Sequence, residues 1–546
     1  MVTTQRKETL TELTTKNFDL VVIGGGITGA GIALDASSRG LSVLLLEKTD
    51  FAAGTSSKST KLIHGGLRYL KQLEFRLVQE VGRERAIVHR LAPHLVKAEK
   101  MLLPIFQNGT FGKHSTAFGL WLYDLLAGVR QEDRRTMLNR AETLDREPLI
   151  HQAQLLGGGF YAEYRTDDAR LTIELIKTAV RYGARCLNYA EVRSFQYSDN
   201  GRLTGLTFLD SNGGESLSVQ ARHIVSAAGP WVDRLREKDG SLTGKQIFLS
   251  KGVHVVVPRE RLPIRHAVYF DIPDGRMLFA IPRHRTTYIG TTDTPYQGDR
   301  DQVFADAADV DYILEGTNQM FPSAKLNTAD VESTWAGLRP LIFETGKSAG
   351  EMSRKDEIFS SPTGLISIAG GKLTGYRKMA ARVVDLVMRN RVAEGLDTFR
   401  PCETHRIPLL AGEPLTAASL PLLRETIRQK VRSEDLPDFH TDYLLENYGP
   451  DAVRILSDMS SYDDLRPDTR LLRAELQHAI RHEWVLEPAD FLERRTGRLY
   501  FHIRSIEDNL PVILADMGRL LSWTAEKAAA AESDIRELVR RVKVFG

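Results

Sequence analysis

FDLVVIGGGITGAGIALDASSRGLSVLLLE, residues 18–47, is the stretch that decides the fold. Residues 20–23 form a short apolar run rich in β-branched side chains, which predicts a strand buried on both faces. Gly24, Gly26 and Gly29 follow at GxGxxG spacing, then a predicted helix over 27–38 and a second buried strand over 41–46. This order, closed by Glu47, is typical of a β-α-β unit that binds a dinucleotide.

The three glycines have separate tasks in such a unit. Gly24 permits the tight turn, Gly26 lets a pyrophosphate approach the backbone, and Gly29 lets the helix pack close to the sheet. The start of the helix offers N–H groups and a positive dipole end to phosphate, and Glu47 can accept hydrogen bonds from a ribose diol. The motif leaves NAD and FAD open, and its alternative is a glycine-rich turn without ligand.

Length and composition limit the classes of protein. At 546 residues the chain should hold two or three domains, and 42% hydrophobic with 26% charged residues is ordinary for a globular protein. A net charge of +2 gives no field that favours nucleic acid. Cys186 and Cys402 form no CxxC pattern, so we expect neither a disulfide framework nor a metal site. Two separated cysteines fit a protein of the reducing cytoplasm. We also expect no secretory signal and no membrane-spanning segment.

A small polar loop and a cationic cluster follow the dinucleotide unit. Residues 54–60 can wrap a ligand with hydroxyls and backbone N–H groups. Lys61, His64, Arg68 and Tyr69 then fall within nine residues. A solvated basic loop is one interpretation. An active-site segment beside the cofactor is the other, favoured because the cluster follows the unit so closely.

Six separated segments carry a resemblance to a known family. GTSSKSTKLIHGGLRYL, residues 54–70, resembles the corresponding stretch of the FAD-dependent glycerol-3-phosphate dehydrogenases. The resemblance covers essentially the whole chain, and only small departures such as Ser226 and Gly375 occur. The other segments, in the same order, are SAAGPWVD (226–233), KGVHVVVP (251–258), YIGTTDTPY (288–296), GLRPL (337–341) and GGKLTGYRKMA (370–380).

The resemblance implies an α/β fold with three parts. A Rossmann-like FAD-binding domain would comprise about 18–80, 160–245 and 335–400. An antiparallel β-sheet cap domain for the substrate would comprise about 81–159 and 246–334. Residues 401–546 would form a C-terminal helical domain, for which we expect no chemistry of its own because no site-type cluster occurs there.

Local patterns predict further elements. Asp167 and Asp168 are expected as N-cap and first-turn acids of a helix. A second turn of two glycines after a strand should open another helix whose dipole suits the flavin. The predicted helices are 74–103, 111–128 (core or interfacial), 171–182, 373–387, 468–480 and 522–542, and the predicted strands are 186–196, 203–208, 219–229, several antiparallel ones in 247–294, and 364–369.

FAD is the cofactor that the resemblance implies, bound noncovalently because no residue is compellingly placed for covalent attachment. The motif and the resemblance together assign its binding to Gly24, Gly26, Gly29, Glu47, Lys48, Thr55, Ser56, Ser57, Lys61, Leu62, Ile63, Val192, Ala228, Gly229, Trp231, Lys372, Leu373 and Thr374.

Oxidation of a secondary alcohol requires a hydride acceptor, a base and an anchor for the substrate. Flavin N5 supplies the first, a histidine tuned near neutral pH is the usual base, and Arg binds a phosphate with two parallel hydrogen bonds. His64 and His254 compete as the base. Arg68, Tyr69, Arg339 and Lys372 are assigned to the substrate, Arg339 also to catalysis.

The resemblance implies oxidation of sn-glycerol 3-phosphate to dihydroxyacetone phosphate, with electrons passed to a membrane quinone. The alternatives are an oxidase that uses oxygen, an amino-acid oxidase of the same fold, and a flavin-binding scaffold without turnover. We expect a cytoplasmic protein bound peripherally to the inner face of the cell membrane, and a homodimer is compatible with the sequence. The candidate membrane contacts are Phe118, Trp121, Leu122 and Leu125.

Overall fold

Two β-sheets organise the chain, one of eight strands and one of ten. The computed structural model describes residues 2–63, 75–107, 109, 135–343, 356–370, 372–396, 398–410, 414–416, 418–462 and 466–545. In chain order the described strands are β1 (Asn17–Ile23), β2 (Val43–Leu46), β3 (Leu62–Ile63), β4 (Lys97–Phe106), β5 (Thr136–Asn139), β6 (Leu155–Arg165), β7 (Arg185–Leu187), β8 (Ala190–Tyr197), β9 (Leu203–Asp210), β10 (Glu215–Ser226), β11 (Ile247–Pro258), β12 (Ala267–Asp271), β13 (Met277–Arg283), β14 (Thr286–Gly290), β15 (Thr294–Pro295), β16 (Ser333–Ile342), β17 (Glu357–Ser360) and β18 (Ile366–Ala369).

Helices flank the sheets and make up most of the C-terminal region. A π-helical turn, Asp490–Arg495, interrupts that region. The described α-helices are α1 (Val2–Thr15), α2 (Ile27–Ser38), α3 (Phe75–Leu91), α4 (Arg140–Arg146), α5 (Asp168–Arg181), α6 (Val232–Lys238), α7 (Ala307–Met320), α8 (Tyr376–Ala393), α9 (Ser419–Ser433), α10 (Phe439–Tyr448), α11 (Asp451–Asp458), α12 (Pro467–His482), α13 (Arg498–Phe501), α14 (Ile503–Leu521) and α15 (Ala525–Lys543).

The first sheet has a parallel centre, in the order β17-β18-β10-β1-β2-β7. β1 lies between β10 and β2 and is parallel to both, and β18 is parallel to β10. The carboxyl ends of these four strands therefore meet at one edge, which is where ligands bind in open α/β sheets. β1, α2 and β2 confirm the predicted β-α-β unit, and the apolar run 20–23 is buried throughout.

The second sheet is mostly antiparallel, in the order β15-β11-β14-β13-β12-β4-β6-β3, with β16 paired to β11. Only the β4–β12 pair among its described contacts is parallel. β6 and β16 both belong to this sheet over their whole length. The sheet boundaries therefore differ from the expected domain boundaries at 160 and 335.

Two predicted elements are wrong. The helix over 74–103 ends at Leu91, and β4 begins at Lys97, because Pro93 disfavours a helical conformation of the residue before it. The strand over 186–196 is two strands, β7 and β8, separated at Asn188 and Tyr189. The prediction for 111–128, with Phe118, Trp121, Leu122 and Leu125, lies outside the described residues.

The C-terminal helices share a hydrophobic core with the second sheet. Phe491 and Leu499 of the C-terminal region cluster with Tyr161, Tyr288 and Trp335 of the sheet. None of the helices in the described ranges combines the length and the hydrophobicity that a bilayer crossing requires. The C-terminal region is therefore packed on the rest of the molecule through apolar side chains.

Candidate active site

A cavity of about 460 Å³ lies at the carboxyl edge of the first sheet. Gly24, Glu47, Ala228 and Gly370, which line it, each follow a strand of that sheet. β11 and β16 of the second sheet contribute the facing residues, among them His254 and Arg339. Many of the predicted nucleotide residues, together with His254, Arg339 and Lys372, thus line one space.

The first glycine turn is built by close backbone contacts. Gly24 has a φ of +110°, and a Cβ there would lie 2.6 Å from the carbonyl oxygen of Ala227. A Cβ at Gly29 would lie 1.9 Å from the carbonyl oxygen of Gly24. Gly29 does not line the cavity; it lets α2 approach the turn. Neither glycine can carry a side chain without moving the backbone.

The start of α2 is fastened by a hydroxyl from another segment. Ser56 Oγ accepts a hydrogen bond of 2.9 Å from the backbone N–H of Ile27, the first residue of the helix. A Cβ at Gly26 would lie 3.1 Å from that same oxygen. Gly26, Ile27, Thr28 and Ser56 all line the cavity. This arrangement leaves room for a pyrophosphate at a helix N-terminus.

Glu47 is held by backbone donors. Its Oε2 accepts from Gly25 N at 2.7 Å and its Oε1 from Thr49 N at 3.0 Å. Burial raises the pKa of Glu47 above its usual value. The fixed carboxylate fits the hydrogen-bond acceptor expected for an adenosine ribose.

Other predicted nucleotide residues also line the cavity. Lys48 Nζ lies 4.1 Å from the centre of the Trp231 ring and forms an ion pair with Asp301. The carbonyl oxygen of Val192 accepts from Lys238 Nζ at 3.3 Å, next to a β-bulge in β8. Ala228, Gly229, Thr55 and Leu62 also line the cavity.

Three residues assigned to the cofactor lie behind the wall instead of in it. Lys61 is buried, and its Nζ donates to Asp168 at 2.5 Å and to the carbonyl of Ser57 at 3.0 Å. Ile63 is fully buried in the core. Asp168, which accepts from Lys61, is the first residue of α5, and Asp167 is the N-cap of this helix, as predicted. Ser57, Lys61 and Ile63 therefore position the loop whose residues 58–60 line the cavity.

His254 is buried in β11 and stacked on an indole. Its ring centre lies 4.6 Å from that of Trp335 with 10° between the planes, and its Nε2 lies 3.0 Å from Thr60 Oγ1. Burial, together with the positive charges of Arg339 and Lys61, holds the pKa of His254 well below its usual value. The imidazole is therefore neutral near pH 7.

Arg339 of β16 has its guanidinium fixed across β11. Nη1 donates to the carbonyl of Thr292 at 3.0 Å and to Asp293 at 3.2 Å, and Nη2 donates to Thr291 Oγ1 at 2.8 Å. A Cβ at Gly252 would lie 2.3 Å from Nη2, so this glycine gives the guanidinium its place. The orientation of the cation is set before any anion binds.

The second glycine turn reaches the cavity after β18. Lys372, Leu373 and Thr374 line it, and a 3₁₀ turn, Leu373–Gly375, precedes α8. His64, Arg68 and Tyr69 lie outside the described residues. No individual role is predicted from the sequence for Thr60, Lys238, Asp293 or Trp335. Three of these residues lie in or beside segments that resemble the family and could have been found there: Thr60, Asp293 and Trp335. No sequence motif marks Lys238.

The residues present fit FAD. The glycine cradle at Gly24 and Gly26, the start of α2 and the fixed Glu47 carboxylate form a pyrophosphate-and-ribose site. When bound, FAD supplies the hydride acceptor for an oxidation. In the described parts of the chain no group of three His, Cys, Asp or Glu side chains could hold a metal ion.

Comparisons with known proteins agree with this geometry. A family model described as FAD dependent oxidoreductase matches residues 19–377, and one described as the C-terminal domain of alpha-glycerophosphate oxidase matches residues 402–528. The aerobic glycerol-3-phosphate dehydrogenase of Bacillus subtilis (strain 168) is 46% identical over 538 residues, 98% of this chain and 97% of that protein. Its counterpart in Staphylococcus aureus (strain USA300) is 43% identical over 544 residues, 99% and 98% of the two chains.

A solved structure extends the likeness to three dimensions. The glycerol-3-phosphate dehydrogenase from Bacillus halodurans, complexed with FAD, has a TM-score of 0.84 and 42% identity, with 99% of this chain and 98% of that chain covered. The predictions of the fold class and of FAD are thereby confirmed. The chain belongs to the FAD-dependent oxidoreductase family, in its group of aerobic glycerol-3-phosphate dehydrogenases.

Proposed function

We propose that the protein oxidises sn-glycerol 3-phosphate to dihydroxyacetone phosphate and passes the electrons to a quinone. The observation that carries this proposal is that a fixed arginine, Arg339, and a neutral histidine, His254, line the same cavity as the dinucleotide turn. An anion anchor and a proton acceptor beside the cofactor are what oxidation of a phosphorylated alcohol requires. The names of the relatives specify the substrate.

The chain's own contribution to the chemistry is a proton acceptor. The substrate hydroxyl gives its proton to the imidazole of His254, which is unprotonated because its pKa is depressed. Stacking on Trp335 fixes the plane of the ring, and the hydroxyl of Thr60 is hydrogen-bonded to Nε2. Nδ1 has no hydrogen-bond partner within the described residues. His64 remains the competing candidate.

Arg339 orients the substrate phosphate, with Lys372 as a second cation. Asp293 already contacts Arg339, so part of the guanidinium charge is compensated inside the protein. A phosphate dianion therefore needs further cations, and we assign this part to Lys372 and to Arg68. The planar guanidinium supplies direction as well as charge.

The test uses the flavin absorbance. Glycerol 3-phosphate added without air should bleach the flavin, and a soluble quinone should restore its colour much faster than air does. Rapid recovery in air would favour the oxidase, the alternative suggested by the C-terminal family description. No bleaching would contradict the proposed substrate and favour an amino-acid oxidase or a scaffold without turnover.

The phosphate anchor is tested by Arg339→Ala. Loss of this partly buried, charge-assisted partner should lower kcat/KM for glycerol 3-phosphate, which corresponds to a loss of about 2–5 kcal/mol of transition-state stabilisation. Glycerol, which lacks the phosphate, should be a poor substrate and should lose much less. Arg339→Lys is the control, because lysine keeps the positive charge but lacks the planar guanidinium with its two parallel N–H donors. Equal losses for the two substrates would place Arg339 at the alcohol or the flavin instead.

Delivery of electrons to a lipid-soluble quinone requires contact with the bilayer. We therefore assign the protein to the inner face of the cell membrane, attached peripherally through an amphipathic or basic surface. Flotation with anionic vesicles should recover the protein with the lipid. Recovery in the soluble fraction, with activity toward soluble quinones only, would point to a cytosolic enzyme.

FAD is proposed to be noncovalent. Acid precipitation of the holoenzyme should leave the yellow colour in the supernatant, because nothing would then tie the flavin to the unfolded chain. A yellow pellet would show covalent attachment.

A further inference from the structure

The segment after β2, residues 47–53, is packed directly against the first glycine turn. Ala52 N donates to the carbonyl oxygen of Gly25 at 3.0 Å, and Glu47 accepts from Gly25 N at 2.7 Å. A Cβ at Gly25 would lie 2.7 Å from Cδ1 of Phe51, whose ring fills the space beside the turn. The position of the Glu47 carboxylate thus depends on the residues that hold this segment.

The C-terminal region holds that segment by an ion cluster. Asp50 Oδ2 accepts from Arg494 Nε at 2.6 Å and from Arg495 Nη1 at 2.7 Å, and Oδ1 accepts from Arg495 Nη2 at 2.9 Å. Asp50 and Arg495 have no exposed surface, and Arg494 is 7% exposed. Phe51 packs edge-on against Trp484, with ring centres 5.7 Å apart. We call Asp50, Arg494 and Arg495 the Asp50 clamp.

The clamp is itself anchored on both sides. Arg495 donates to the carbonyl oxygen of Glu483 at 2.6 and 2.9 Å. Tyr189 donates its hydroxyl to Asp490 at 2.7 Å and its backbone N–H to the carbonyl of Thr49 at 2.6 Å. Arg494 and Arg495 end a π-helical turn, a feature frequent at functional sites. The turn therefore presents two guanidiniums to one carboxylate.

The charges of the clamp are mutually required. Burial favours the neutral carboxyl group, but Arg495 and Arg494 outweigh it and hold the pKa of Asp50 below its usual value. Removing one partner would leave the others buried without full compensation. The three side chains of the clamp therefore stay in place only while the residues packed around them keep their positions.

We propose that the C-terminal domain is part of the FAD-binding machinery, because the Asp50 clamp positions Glu47 and the first glycine turn. Arg494 and Arg495 are positioning residues: they act on the cofactor through Asp50. The clamp then sets the affinity for the adenosine end of FAD. This gives the C-terminal domain a role that its lack of catalytic clusters did not predict.

The experiment compares two buried arginines of the same region. Arg495→Met removes the bidentate partner of Asp50. Arg498→Met is the matched control, because Arg498 is 2% exposed and pairs with Glu475 at 2.6 Å and Ser505 at 2.7 Å, all within the C-terminal domain. The full-length protein is stripped of FAD and titrated with FAD by fluorescence. ADP, which carries adenosine and a pyrophosphate but no flavin, serves as the competitor, and thermal unfolding is recorded in parallel.

Arg495→Met should raise the Kd for FAD and the inhibition constant for ADP by the same factor, about tenfold or more, the scale of one charge-assisted contact. Arg498→Met should lower Tm but leave both constants unchanged. Equal changes in both variants, or a change for FAD without one for ADP, would overturn the proposal. If Arg495→Met does not fold, Arg495→Lys and Arg498→Lys replace the pair. Only Arg495→Lys should weaken the binding of FAD. An unchanged Kd for FAD in both lysine variants would overturn the proposal equally.

Discussion

The two glycine turns of the first sheet, one after β1 and one after β18, follow the same order of strand, glycines and helix. Both begin with a glycine in the left-handed region, Gly24 at a φ of +110° and Gly370 at +77°. Both contribute lining residues to the cavity. At this first position the two turns demand glycine for the same backbone reason.

The turns differ at their last glycine. A Cβ at Gly29 would lie 1.9 Å from a carbonyl oxygen, whereas a Cβ at Gly375 would meet no atom within 4 Å. The first helix starts directly at Ile27, but the second is preceded by the 3₁₀ turn Leu373–Gly375. The same sequence pattern therefore marks a close helix approach in the first turn and an open one in the second. Gly375, a departure from the family pattern, lies where other residues fit.

The strongest test exchanges glycine for alanine in both turns. Gly29→Ala pushes a methyl group into backbone that cannot yield, so we expect a loss of unfolding free energy above about 4 kcal/mol, and little or no bound flavin. Gly375→Ala should keep its flavin and be neutral or slightly stabilising. Flavin absorbance per protein and thermal unfolding measure both. Similar damage at the two positions would show that the turns are equivalent after all.

The next largest effect concerns the neutral histidine that faces these turns. His254→Gln should lower the rate of flavin reduction by about 10²–10⁴-fold, the range for loss of a general base. His94→Gln is the matched control, since His94 is also buried, outside the cavity, with burial lowering its pKa to about 3. Rapid mixing with saturating glycerol 3-phosphate gives the rate. An unaltered rate in His254→Gln would transfer the role to His64.

The pH dependence separates the two histidines independently. The folded pKa of His254 lies well below its usual value near 6.5, so the base stays unprotonated as the pH falls to 6. Flavin reduction at saturating substrate should therefore keep its rate there. A fall centred near pH 6.5 would indicate an ordinary histidine. Stability, unlike the rate, should fall: the unfolded chain takes up the proton first, so His254 lowers the unfolding free energy as the pH drops below about 6.5.

What the sequence could predict follows from how local each contact is. The β1-turn-α2 unit came out with its helix bounds intact, because strand burial, glycine spacing and helix period all lie within thirty residues. Most of β4 has a helical sequence pattern although Pro93 precedes it, and its strand conformation depends on pairing with β6, far along the chain. The Asp50 clamp was not predictable, since residues 50 and 495 are 445 positions apart.

Glu47→Gln tests the acidic flank of the first turn. An amide offers one acceptor oxygen where the carboxylate meets two backbone N–H groups, so one of them would face an amide donor. We expect FAD affinity to fall by about 1.5–3 kcal/mol, and Glu47→Arg to be at least as damaging. Glu191→Gln, a cavity-lining acid whose side chain pairs with Arg193 at the surface, is the control. Comparable losses at both acids would mean that general charge, and not the fixed carboxylate, holds the ribose.

The smallest effect belongs to Ser56, which distinguishes the first helix start from the second. Its hydroxyl accepts from Ile27 N at 2.9 Å, whereas neither Lys372 nor Gly375 caps its helix with a side chain. Ser56→Ala removes one neutral hydrogen bond at the phosphate-facing end, so FAD affinity should fall by about 0.5–1.5 kcal/mol. Ser38→Ala, at the other end of α2, where the hydroxyl donates to the carbonyl of Asp35, should leave FAD binding unchanged. Titration with FAD decides the sign. Tighter binding by Ser56→Ala would show that the serine competes with the pyrophosphate for the Ile27 N–H instead of supporting the cradle.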